Sequence, residues 1–118
     1  MKKSILDEKC MLFAVRIVKF YQYLCTDKKE YVLSKQILRS GTSIGANVRE
    51  SQNAQSKADF ANKLNIALKE ADETQYWLEL LKMSDIITED HFNSLNQDLS
   101  EIIALLITSI KTVKSKIS

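Results

Sequence analysis

Apolar residues step through this chain at intervals of three and four almost from end to end, and no proline interrupts them. That spacing lines one face of an α-helix and conflicts with the strict alternation of a half-buried strand. In the first stretch the row is Leu6, Cys10, Phe13, Ile17, Phe20 and Leu24, with Ser4 placed to cap it and Asp7 and Glu8 suited to its first turn. Thr26-Asp27-Lys28-Lys29 breaks the row and supplies a short polar connection. A second helix is predicted from about Tyr31 into the low fifties, with Leu33, Ile37, Ile44 and Val48 on one stripe. A third begins near Ser56, which with Asp59 three residues later resembles a capping pair, and carries Phe60, Leu64, Ala67, Leu68, Ala71 and Leu78 to an end near Ser84. Thr88 caps a fourth, whose Phe92, Leu95, Leu99, Ile102, Leu106, Ile110, Val113 and Ile117 keep the same stepping. Lys111, Lys114 and Lys116 oppose the helix dipole in its last turns. Short connections make sequential helices antiparallel neighbours. The expected architecture is one all-α domain over residues 1–118, an up-down-up-down four-helix bundle.

Composition agrees. A chain of 118 residues that is 45% hydrophobic and 27% charged can bury roughly two thirds of its unfolded surface and is not disordered. Cys10 and Cys25 fall on one helix about 22 Å apart and cannot bridge each other within a chain. They read as packing residues in a reducing compartment rather than as redox or metal ligands. Met1-Lys2-Lys3 is followed by Asp7, Glu8 and Lys9, and the apolar run from Cys10 stops at Arg16, which does not make a signal peptide. The longest uncharged apolar stretch, Ile102 to Ile110, is about half of what a membrane span requires. The expected location is the cytoplasm, with no membrane partner.

The second helix breaks the bland pattern. It contains Gly41 and Gly45, each costing about 1 kcal/mol relative to alanine in a helix interior. Four residues apart, they share a flank over which another helix can approach closely, within the chain or across a subunit boundary. They follow no strand and precede no Gly-Lys-Ser/Thr sequence, so they are not a phosphate loop. Ser43, Asn47 and Glu50 border the apolar stripe and are expected to hydrogen-bond neighbouring helices and fix their register. Lys35, Arg39 and Arg49 fall within an arc of about 80° opposite that stripe, an ordinary solvated face or, repeated in an oligomer, a surface for phosphates.

On the third helix Ile66, Trp77 and Leu80 project away from the inner face, and on the fourth Ile103 and Ile107 widen the seam. They read as a subunit interface, the alternative being a thicker core. The acidic residues Asp59, Glu70, Asp72, Glu73 and Glu79 invite comparison with dimetal carboxylate bundles, but that chemistry uses Glu-x-x-His pairs and none occurs. Lys69 with Glu73 and Asp59 with Lys63 read instead as surface pairs. One histidine, His91, no cysteine-histidine pair and no glycine-rich phosphate loop leave no catalytic set, so no enzyme, cofactor or metal is expected.

The run Gln36-Ile37-Leu38-Arg39-Ser40, then Ser43-Ile44, Asn47-Val48 and Glu50, then Ala58-Asp59-Phe60 and Leu68-Lys69-Glu70-Ala71, resembles the four-helix-bundle family of 23S rRNA intervening-sequence proteins. Members often carry glycine after the glutamate, where this chain has Ser51 and its helix is free to continue. The resemblance implies a ring-like homopentamer, similar to the accessory variability determinants of diversity-generating retroelements, with no established catalytic activity and an invitation to look for RNA. The leading reading is therefore an oligomeric scaffold that binds RNA, DNA or a nucleoprotein through Lys35, Arg39 and Arg49. The alternative is a module that binds only protein, with Ile66 and Trp77 recruiting the partner.

Overall fold

A computed structural model describes residues 4–117, which form four helices: α1 (Ile5–Thr26), α2 (Leu33–Ser51), α3 (Lys57–Met83) and α4 (Glu89–Ile117). Each helix starts where a side chain can satisfy its free backbone N–H groups. Ser4 accepts from the amide of Asp7, Ser56 from that of Asp59, and Thr88 from that of His91. The start of α2 departs from expectation. It lies at Leu33 rather than near Tyr31, because the Glu30 carboxylate accepts the amides of Val32, Leu33 and Ser34 and caps the helix from outside. At the end of α3, Ile86 N–H donates to Leu81 C=O and Asp85 N–H to Lys82 C=O, with Asp85 at φ 60°, the left-handed residue that closes a Schellman turn.

Pairs of contacting residues give the direction of every neighbour. From α1 to α2, Cys10 meets Gly45 and Ile17 meets Gly41; from α2 to α3, Arg39 meets Glu70 and Glu50 meets Lys63. From α3 to α4, Gln75 bonds Asn96 and Lys82 covers Phe92; from α1 to α4, Lys9 meets Glu101 and Arg16 meets Asp98. In each pair one number rises as the other falls, so all four seams are antiparallel and the helices stand at the corners of a square. Helix α1 packs on α2 and α4, while α1 and α3 lie across the diagonal.

The core is the predicted one over most of its length. Cys10, Phe13, Ile17, Phe20 and Leu24 of α1 meet Ile37, Ile44 and Val48 of α2, Leu64, Ala67, Ala71 and Leu78 of α3, and Phe92 through Ile110 of α4. Ala61, Thr74 and Leu81 of α3 are also buried, whereas Phe60 and Leu68 are only half-buried against it. The stepping of α4 outlasts its core. Val113 is half-buried and Ile117 is exposed. With Lys9 level with Glu101, the first turn of α1 stands beside about residue 105, so the last turns of α4 have no α1 next to them.

Candidate interaction surfaces

Gly41 and Gly45 are where α1 and α2 come closest, and the partner over them belongs to the same chain rather than to a second subunit. A Cβ on Gly41 would stand 2.9 Å from both Cγ1 and Cγ2 of Ile17; one on Gly45 would stand 3.2 Å from Cys10 Cβ. Cys10 is sealed beneath this seam. Burial, and then the Asp7 charge, pushes its thiol up to about 12, so it stays protonated and packs as a small apolar group. Cys25, half-buried, has its Sγ 3.8 Å from Ser34 Oγ.

The register hydrogen bonds expected of Ser43 and Asn47 are not made. Ser43 Oγ donates to Arg39 C=O and Asn47 Nδ2 to Ser43 C=O, both within α2, because each side chain faces back along its own helix with an i−4 carbonyl in reach. Glu50 does cross to α3, pairing with Lys63 at 3.3 Å. The buried polar tie between α2 and α3 is instead Ser40 with Thr74, hydroxyl oxygens 2.9 Å apart and both side chains sealed from solvent. The fit of the glycines and this pair locate α2 between its neighbours.

The basic face of α2 is largely engaged. Arg39 binds Glu70 at 3.2 Å and also Glu73, whose carboxylate accepts the Trp77 indole N–H at 3.1 Å. The Glu73 carboxyl is held low by that indole N–H and by Arg39, which outweigh its partial burial. Arg49 reaches across to Asp7, a buried carboxylate on α1, at 3.2 Å. Of the three predicted phosphate contacts only Lys35 is exposed and without a partner. Sequence reasoning could not see this, because the carboxylates come from other helices. The surface pairs drawn along α3 also differ: Glu73 goes to Arg39 and Lys63 to Glu50 in place of Lys69 and Asp59. Asp59 accepts from the amide of Gln55.

The expected interface residues divide. Ile66 is exposed at the boundary and Tyr76, about 15 Å further along α3, is 57% exposed, whereas Trp77, Leu80 and Ile103 are half-buried, with Trp77 and Ile103 leaning on the core; Ile107 is exposed. A larger apolar surface was missed. Ile5, Met11, Leu12, Val15 and Val18 leave 41 to 67% of their area bare on α1. They lie about 170° from the core row of the same helix, so two apolar stripes share α1, and the deeper periodicity of the first masks the second.

His91 sits edge-on between Phe20 and Tyr23 at 5.0 and 5.1 Å, and its pKa is lowered by burial first and then by Arg16 and Lys28. The shallow groove it lines holds Arg16, Lys19, Phe20, Tyr23 and Leu95, with no nucleophile or carboxylate. Among the described residues, no three histidine, cysteine, aspartate or glutamate side chains gather as a metal site, and no helix is long and apolar enough to cross a membrane.

The chain is similar to a crystal structure from Bacteroides thetaiotaomicron, described as a protein with unknown function from the S23 ribosomal protein family. The two are 60% identical, with a TM-score of 0.90, over 91% of this chain and 96% of that one. No curated protein matches. The sequence matches the family of 23S rRNA-intervening sequence proteins over residues 2–108, which covers all of α1 to α3 and most of α4. A four-helix bundle with a glycine-packed second helix, matched over nearly its whole length in sequence and in structure, belongs to the 23S rRNA-intervening sequence protein family.

Proposed function

We propose that this protein is a non-catalytic, homo-oligomeric scaffold of the cytoplasm, a pentamer as the family resemblance implies, which presents basic surface to RNA, DNA or a nucleoprotein. One observation carries the assembly: a core complete within the bundle, with large apolar side chains still bare outside it, above all Ile5 to Val18 on α1 and Ile66 and Tyr76 on α3. Monomers scatter single hydrophobics over their surface; rows of them mark contacts. Free thiols at Cys10 and Cys25 fit a reducing compartment.

The nucleic-acid half of the reading rests on where positive charge stands clear of carboxylates. Lys35 is one such place. The other is the end of α4, where Lys111 and Lys116 stand exposed on a segment from Ile102 to Ile117 that carries no acidic residue and whose last turns lie beyond the family match. Arg39 remains half-exposed while paired with Glu73, and a surface pair of this kind is weak enough to exchange a carboxylate for a phosphate, whereas Arg49 is held to the buried Asp7.

Light scattering on the purified protein, followed by titration of labelled structured RNA at low and high salt, tests both halves. An oligomer whose RNA affinity falls steeply with salt, and falls again in a Lys35→Ala/Lys111→Ala/Lys116→Ala variant, is the expected result. A monomer removes the scaffold reading. An oligomer indifferent to RNA leaves the protein-only alternative, with Ile66 as the recruiting residue and exposed Tyr76 beside half-buried Trp77.

A further inference from the structure

We infer that the outer stripe of α1 is one half of the subunit contact, and that it packs on the outer flank of α3, around Ile66, Tyr76 and Leu80, of the next copy. This rests on the oligomeric reading above and adds to it the two faces that meet.

The stripe runs about 20 Å, from Ile5 to Val18, and its five apolar side chains are 41 to 67% exposed, with Met11 bordering the groove toward α2 and Leu12 the groove toward α4. The α3 flank is the second apolar surface, and α3 stands across the diagonal from α1. One bundle therefore carries two bare patches facing opposite ways. A contact of α1 on α1 would cover one of them and leave the other wet. A head-to-tail contact of α1 on α3 covers both in every copy. It is also the kind of interface that closes a ring with an odd number of subunits, which self-facing two-fold contacts alone cannot do.

Charge fits the same pairing. Glu8 and Lys19 stand exposed on the α1 stripe, acid near its start and base near its end, and neither has a partner in its own chain. Lys69 and Glu79 stand exposed and unpartnered on α3 in the opposite order. Copies related by rotation about an axis along the bundle keep their helices pointing the same way, and α1 and α3 both run upward. Ile17 is level with Gly41 and Ser40 with Thr74, so α1 residue 17 stands beside about residue 73 of α3. On that scale Lys69 lies about 7.5 Å above Glu8, and Glu79 about 6 Å above Lys19, each within the reach of a lysine side chain. Both pairs are then opposite in sign across the contact.

The test is solution mass by light scattering, with circular dichroism confirming helicity. Leu12 is 67% exposed and Val15 45%, so Leu12→Glu and Val15→Lys leave the core untouched and are expected to fold and to lose the oligomer. Tyr76→Glu on the other face is expected to do the same. Mixing Leu12→Glu with Tyr76→Glu chains should restore at most dimers, because each copy keeps one sound face. Glu8→Lys should weaken assembly, and Lys69→Glu added to it should recover the wild-type mass. An oligomeric wild type whose mass is unmoved by the Leu12 and Val15 substitutions overturns this assignment and leaves the scaffold reading standing. A monomeric wild type overturns both. Equal loss from α1 and α3 variants without recovery by the charge exchange overturns the pairing of Glu8 with Lys69.

Discussion

Helix α1 is joined to its two neighbours by different physics. Against α2 it is held by shape: Gly41 and Gly45 remove the side chains that would keep the backbones apart, and Ile17 and Cys10 fill the space. Against α4 it is held in part by charge at the surface, with Lys9 on Glu101 at 2.9 Å and Arg16 on Asp98 at 2.7 Å and on Ser94 at 2.8 Å. A groove remains open there between Leu12, Phe13 and Ile102. The first seam tolerates almost no added volume, because packed interiors cannot yield by a methyl group without moving backbone. The second tolerates change, because half-exposed ion pairs are screened and replaceable. The comparison shows which boundary of α1 is rigid and which is loose.

The largest effect should come from closing the glycine seam. Gly41→Val adds atoms where even a Cβ lies 2.9 Å from the branched carbons of Ile17, and is expected to destabilise by about 3 kcal/mol; Gly41→Ala should cost about 1–2 kcal/mol after its gain in helix propensity. Urea denaturation of Gly41→Ala, Ile17→Ala and the double variant measures this, with a double-variant cost well below the sum if the clash is the cause. A fully additive pair would break the account of the seam.

Next in size is the cap that sets where α2 begins. Glu30→Gln removes a carboxylate from three amide donors and is expected to cost about 1 kcal/mol at neutral pH. Partial burial alone would raise the Glu30 pKa, but the amides of Ser34, Leu33 and Val32 together lower it. A carboxyl lowered on folding contributes stability above its unfolded pKa and loses it as pH falls through the folded value. The gap between wild type and Glu30→Gln in thermal melts should therefore narrow as pH drops through the carboxylate range. A gap independent of pH would mean the charge is not what caps the helix.

The α4 seam should respond less. Arg16→Ala breaks a pair in which both side chains are more than a third exposed, and is expected to cost less than about 1 kcal/mol, shrinking further at high salt. A loss as large as that of Gly41→Val would erase the distinction between the two seams. Smallest of all is Gly45→Ala. Its Cβ meets Cys10 Cβ at 3.2 Å, so a shift of a few tenths of an ångström offsets the propensity gain, and the melting midpoint should barely move.

Much of the fold was legible because helix period, caps and chain breaks are local. Ser4, Ser56 and Thr88 each cap the helix that their position announced, and the rows from Cys10 to Leu24 and from Phe92 to Ile110 lie inside as spacing predicts, with Leu6 half-buried against them. The glycines of α2 announced close packing correctly but not its partner. The surface was less legible. Arg39 and Arg49 look like a free basic stripe until Glu70, Glu73 and Asp7 arrive from other helices, and Ser43 and Asn47 look like register contacts until their own i−4 carbonyls prove nearer. The second stripe of α1 went unread because a helix wheel gives hydrophobicity around an axis and not which sides of that axis have neighbours.

By itself, the order of residues determined that this chain makes four amphipathic helices, where three of them start, and that one face of each goes inward, since these depend on backbone capping and on the 3.6-residue turn. Only the tertiary structure decided that α1 fills the glycine seam, that Glu30 and not a helix-terminal residue caps α2, which cations are already neutralised, and which apolar faces remain bare. Those outcomes depend on distances between residues far apart in the chain, set by how the four helices pack around the square and invisible until they do.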